Sequence, residues 1–110
     1  MAGVISRDEL RARLEQGDVI VLEALTPLDY EAGHIPGALR IDMSHVAQEA
    51  PALAPDKTQP VVVYCANAAC QNSPRVAKAL DRLGYEQVFD YVEGKADWEA
   101  AGLPLAATVA

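Results

Sequence analysis

Four apolar residues in a row, Val61-Val62-Val63-Tyr64, leave a strand no polar face to turn towards water, so both of its faces must be covered. Val19 to Leu22 repeats the pattern, and the shorter Val88 to Val92 segment looks similar. Such runs are typical of parallel sheets, where helices lie over both faces. The segments between them read as those helices. Ser6 and Glu9 form a capping box for a helix over residues 7 to 16, with Leu10 and Leu14 on one face and Gly17 as its stop. Thr26-Pro27-Leu28-Asp29 starts a short helix that Gly33 ends, His34-Ile35-Pro36-Gly37 is a turn, Ala38 to Ile41 is a short strand, and residues 44 to 50 form a further helix. Ser73 as N-cap and Pro74 at the first helical position open a helix carried by Val76, Ala79, Leu80 and Leu83 and stopped by Gly84. Trp98 is predicted to lie in the core or to cover it from the last helix. Alternating strands and helices with short connections predict an α/β domain with a mainly parallel sheet, whose functional crevice lies at the carboxyl ends of its strands.

Cys65 stands at such an end. A free cysteine is ordinarily a small buried hydrophobe, but this one closes a strand and opens a loop. The residues that follow, Ala66, Asn67, Ala68, Ala69, Cys70, Gln71, Asn72 and Ser73, are all small or amide-bearing. Their side chains need not fill the centre of the loop, so their backbone N–H groups can point there as an anion-binding nest. The nest and the N-terminus of the following helix are expected to pull the Cys65 thiol below the ordinary value of about 8.5, into a range of roughly 3.5 to 7.5. Arg75 and Lys78 sit at the end of that helix where cations are mildly unfavourable, a cost an anionic ligand would remove. Arg75 is therefore counted with residues 66 to 73 as substrate-binding, and Lys78 as a solvated surface charge.

Composition bounds the rest. A chain of 110 residues, 51% hydrophobic, with no linker-like stretch, is expected to be one soluble domain spanning residues 1 to 110. The start, Met1-Ala2-Gly3-Val4-Ile5-Ser6-Arg7-Asp8, lacks the basic and apolar segments of a secretory signal, which predicts a cytoplasmic protein with reduced thiols. Two cysteines are too few for a disulfide framework, and without further His or Cys nearby they are too sparse for a structural metal, so no metal or cofactor is expected. A net charge of −7 argues against nucleic acid or an acidic membrane surface as partner. It also means that an anionic substrate must be attracted locally, by the loop amides. Oligomeric state is left open.

Four segments resemble the rhodanese-like domains: Ile5-Ser6-Arg7-Asp8-Glu9-Leu10, Asp29-Tyr30-Glu31-Ala32-Gly33-His34-Ile35-Pro36-Gly37-Ala38, Val62-Val63-Tyr64-Cys65, and Glu93-Gly94-Lys95-Ala96-Asp97-Trp98-Glu99-Ala100-Ala101-Gly102-Leu103-Pro104. The resemblance implies a three-layer fold with a mainly parallel central sheet flanked by helices, and it implies sulfur transfer. Cys65 would take a sulfane sulfur from a small anionic donor such as thiosulfate, hold it as a persulfide among the loop amides, and release it to cyanide or a thiol acceptor. The pattern is departed from near the chemistry. Members with a shorter loop carry Cys-x-x-Gly-x-Arg followed by Ser, whereas here Ser73 comes two residues later and the loop has neither Gly nor Arg. Related phosphatases and arsenate reductases have a longer loop that ends in an oxyanion-clamping Arg, and this chain has Gln71 at that position. Glu23-Ala24-Leu25 replaces the family's Asp-x-Arg, a change expected to end an ion pair.

Cys70 has two readings. It is either a small residue packed inward or a resolving thiol able to close a disulfide with Cys65, which would make the domain a redox-sensing or binding module. His34 is read as a hydrogen-bonding residue of the turn, and His45 as a surface residue.

Overall fold

The computed structural model describes residues 2–107, so the two ends of the expected 1–110 domain, residue 1 and residues 108–110, lie outside the described residues. The elements are β1 (Gly3–Val4), α1 (Arg7–Gln16), β2 (Ile20–Glu23), α2 (Pro27–Ala32), β3 (Leu39–Arg40), α3 (Val46–Leu53), β4 (Val61–Tyr64), α4 (Asn72–Arg82), β5 (Val88–Tyr91) and α5 (Gly94–Ala100). The five strands form one sheet in the order β1-β5-β4-β2-β3. Every pairing in it is parallel.

The apolar runs end up where their composition demands. Val61 to Tyr64 of β4 are fully buried at the centre of the sheet. Alternation divides the strand residues between two cores. Leu22, Val61, Val63 and Val88 pack with Val46 and Ala50 of α3 and Val76 and Leu80 of α4. Val21, Val62, Tyr64 and Tyr91 pack with Leu10 of α1 and Trp98 of α5 on the other face. The result is three layers, helices on both sides of a parallel sheet. Trp98 closes the second core, its indole N–H donating to the Pro104 carbonyl at 2.8 Å.

The capping box on α1 forms as expected: Ser6 Oγ accepts from Glu9 N at 3.1 Å, Glu9 returns the bond to Ser6 N, and Gly17 ends the helix at φ 80°. Other expectations shift. β2 runs one residue further than the Val19 to Leu22 pattern, which brings Glu23 into the strand. The helix expected over 44 to 50 covers Val46–Leu53 and tolerates Pro51 near its end. α4 starts at Asn72, so Ser73 lies inside its first turn and caps nothing. Its hydroxyl is taken by Cys65, as described below. Pro74 then occupies the third helical position, where the missing N–H has no intrahelical acceptor to lose.

Register sets the site. Glu23, Tyr64 and Tyr91 lie side by side at the carboxyl ends of β2, β4 and β5, and Leu22, Val63 and Asp90 form the row before them. Cys65 is the next residue out of the sheet.

Candidate active site

Cys65 is buried at 1% exposure, and the start of α5 holds the root of its loop. Lys95 N donates to the Cys65 carbonyl and Ala96 N to the Ala66 carbonyl, both at 2.9 Å. This contact needs glycine at position 94. Gly94 has φ +66°, and a Cβ there would sit 2.4 Å from the Cys65 carbonyl oxygen. Gly94→Ala is therefore expected to cost about 2–5 kcal/mol, from the left-handed backbone and the overlap together, read as a lower urea midpoint.

The loop then turns back on itself. Asn67 Oδ1 accepts from Ala69 N at 3.0 Å, and the Asn67 carbonyl accepts from Cys70 N at 3.1 Å. Asn67, Ala68 and Ala69 make an exposed tip, and Cys70 is returned towards Cys65 half-buried. The Asn72 side-chain amide donates to the Ala24 carbonyl at 2.9 Å, tying the far end of the loop to the end of β2. Backbone N–H groups of Asn72, Ala66 and Ser73 do converge, as the small loop residues suggested, and the atom they converge on is the Cys70 sulfur. The Cys65 sulfur lies beside it.

This arrangement reverses the expectation for Cys65. Burial pushes its thiol up, and the hydrogen bond to Cys70 raises it further. Contacts with Ser73 only partly compensate. For Cys70 burial acts in the same upward direction, but the bond from Cys65 and the amides of Asn72, Ala66 and Ser73 outweigh it and hold the thiol below its ordinary range. The nest is real, but its benefit goes to the second cysteine.

Behind Cys65 lies a polar chain that the sequence reading missed. Cys65 S–H donates to Ser73 Oγ at 3.3 Å, Ser73 N donates to the Cys65 sulfur at 3.4 Å, and the Ser73 hydroxyl is also bonded to the Asp90 carboxylate. Asp90 is 7% exposed, and its Oδ1 has no hydrogen-bond partner. Its signal was a lone acid inside the apolar run Val88 to Val92. Burial pushes its carboxyl up, offset in part by the Ser73 bond. A carboxyl raised in the folded state supports the fold in acid and weakens it as pH rises through the folded value. Asp90→Asn should therefore melt a few degrees higher than the parent at neutral pH, with the gain disappearing near pH 3 to 4, where an ordinary carboxyl of pKa about 3.9 protonates.

Glu23 shows a second departure from expectation. The Arg missing after it does not leave it without a cation, because Lys95 Nζ reaches Glu23 Oε1 at 3.1 Å from α5. Lys95 Nζ also donates to the Asp29 carbonyl at 3.0 Å. Tyr64 O–H donates to the same Glu23 oxygen at 2.7 Å and accepts from Ile35 N at 3.0 Å. Burial, and then Glu23 as acceptor, push the Tyr64 hydroxyl far above its ordinary range.

Of the candidate residues, Cys65, Ala66, Cys70, Asn72 and Ser73 are joined by hydrogen bonds around one centre. Asn67, Ala68, Ala69 and Gln71 form its exposed rim. Arg75 does not join them: it lines a cleft of about 410 Å³ between β1 and α4, with Lys78, Asp81 and Asp90. A smaller cleft of about 210 Å³, beside Asn72, is lined by Ala24, Thr26, Arg40 and Met43 among others. His34 is buried, stacked on Tyr30 at 3.9 Å, with Nδ1 2.8 Å from the Tyr30 carbonyl. His45 is exposed and 3.1 Å from Asp42.

The family model for the rhodanese-like domain matches residues 6–101. The chain belongs to the rhodanese-like domain family. Among relatives of this rhodanese-like chain, an HTH-type transcriptional regulator, Rv0324 of Mycobacterium tuberculosis, is 35% identical over 92% of the chain, which spans only 43% of the regulator. The thiosulfate sulfurtransferase GlpE of Pseudoalteromonas translucida is 30% identical, with 80% of each chain covered. Among solved structures, the Alr3790 protein of Anabaena superposes with a TM-score of 0.84 at 25% identity, over 96% of this chain and 81% of that one. No helix among the described residues of this rhodanese-like domain is long and apolar enough to cross a membrane.

Proposed function

We propose that the chain is a sulfurtransferase that moves a sulfane sulfur from a small anionic donor such as thiosulfate, through a persulfide on Cys65, to a thiol or cyanide acceptor. The observation that carries this reading is the strand-end Cys65 sulfur accepting from Ser73 N at 3.4 Å, in a loop whose Ala66 and Asn72 N–H groups also turn inward. The Cys65 thiolate attacks the outer sulfur of thiosulfate, a Cys65 S–S bond forms, and sulfite leaves with the electron pair of the old bond. The acceptor then takes the outer sulfur and returns Cys65 as thiolate. The amides stabilise anionic sulfur in both steps.

Cys65 must first lose its proton, which burial makes harder. Ser73, linked to Asp90, accepts the Cys65 hydrogen bond and provides a route for that proton, so no separate histidine is required. Gln71 is exposed and Arg75 lies outside the loop, so phosphoryl transfer lacks the cation it needs. Both cysteines act as reduced thiols, which fits a reducing compartment such as the cytoplasm.

The test is peptide mass spectrometry of the reduced protein after thiosulfate treatment and rapid thiol blocking. One added sulfur on the Cys65 peptide is expected, or, where Cys70 has reacted onward, its loss as a disulfide with sulfite released. Sulfur only on Cys70 would move the nucleophile, and no sulfite from either cysteine would leave a binding module.

A further inference from the structure

Cys70 is not needed for sulfur transfer as just described, yet the loop is built around its sulfur. The backbone N–H groups of Asn72, Ala66 and Ser73 lie around it, and the Cys65 sulfur is its neighbour. A cysteine placed as a small apolar filler would meet carbon atoms. N–H groups around a sulfur favour its thiolate form. The turn that puts it there, with Cys70 N donating to the Asn67 carbonyl, folds the chain back so that two cysteines separated by four residues come to lie side by side.

We propose that Cys70 discharges the Cys65 persulfide inside the loop, releasing hydrosulfide and closing a Cys65–Cys70 disulfide. This rests on the sulfurtransferase reading and adds the fate of the sulfur. Cys70 thiolate attacks the inner sulfur of Cys65–S–SH, a new S–S bond joins the two side chains, and HS⁻ leaves with the electron pair of the persulfide bond. Two equivalents of an external thiol then reduce the disulfide and are themselves oxidised to one disulfide. Over the cycle, thiosulfate and two thiols become sulfite, hydrogen sulfide and one disulfide.

The geometry favours this over storage. Once Cys65 carries the extra sulfur, the hydrogen it gave to Ser73 at rest is gone, and its own sulfur is left as an electrophile beside Cys70. The amides favour the ionised form of Cys70 next to the atom it attacks. Exchange rates follow the thiolate fraction of the attacking sulfur, and a lowered thiol has more of it at a given pH than an ordinary cysteine.

The full chain, reduced and desalted, is treated with thiosulfate without added thiol, and hydrosulfide, free thiols and the 65–70 peptide are measured. About one equivalent of hydrosulfide per chain and a Cys65–Cys70 disulfide are expected, with continued release only when dithiothreitol is added. Cys70→Ser, and Cys70→Ala as a second variant, should keep the sulfur on Cys65 and release hydrosulfide at least about tenfold more slowly until an external thiol arrives. A lasting wild-type persulfide, or equal release from the Cys70 variants, would overturn the proposal. A parallel loading with inorganic polysulfide bypasses the donor. If thiosulfate fails but polysulfide yields the disulfide and hydrosulfide, the donor reading falls and the role of Cys70 stands. If polysulfide leaves a lasting persulfide on Cys65, the role of Cys70 falls.

Discussion

Cys65→Ser is expected to reduce thiosulfate:cyanide turnover at least about 10³-fold while leaving the melting temperature nearly unchanged, because it removes a nucleophile and little else. A serine hydroxyl stays protonated in the pH range where a thiol, even a raised one, begins to ionise. The replacement keeps the buried volume and the hydrogen bond to Ser73 that the thiol makes at 3.3 Å. Turnover by the parent should rise with pH through the neutral range, since burial holds the Cys65 thiol above its ordinary value. Retained turnover in Cys65→Ser, with loss in Cys70→Ser, would place the nucleophile on Cys70.

The second large effect concerns stability. Lys95→Ala should cost about 3–5 kcal/mol, because it leaves the Glu23 carboxylate buried with no cation beside it. Glu23 is 0% exposed, and the other donor to its bonded oxygen is the neutral Tyr64 hydroxyl. With domains stable by about 5–15 kcal/mol, a loss of that size is visible as a large fall in the urea midpoint. Replacing the pair together, as Glu23→Gln with Lys95→Met, should recover most of the loss, because an apolar or neutral substitute removes the unpaired charge. A Lys95→Ala variant as stable as its parent would mean that water reaches Glu23.

Local pattern revealed the elements whose causes are local. The apolar run of β4, the capping box of α1 and the strand-end position of Cys65 are all visible within a few neighbouring residues. The start of α4 was misplaced because Ser73, a good cap by type, spends its hydroxyl on Cys65 and Asp90. β1 was missed because its two residues carry no alternation, and Val4 is exposed; pairing with β5 alone makes them a strand. Lys95 and Glu23 are 72 positions apart and meet only through the packing of α5 on the sheet, so the missing Arg suggested a broken pair. The small loop residues did signal converging amides. They could not show which sulfur the amides would face, and that direction decides which thiol is lowered.

The contacts from Lys95 N and Ala96 N to the Cys65 and Ala66 carbonyls also set when reactivity can arise during biosynthesis. Cys65 is translated 30 residues before Lys95, so the nascent chain carries the cysteine before it carries the clamp that fixes the loop. A chain arrested between those points, or a fragment ending before α5, would display an ordinary unfolded thiol. The fixed form of this loop is thereby acquired only once the start of α5 has been made.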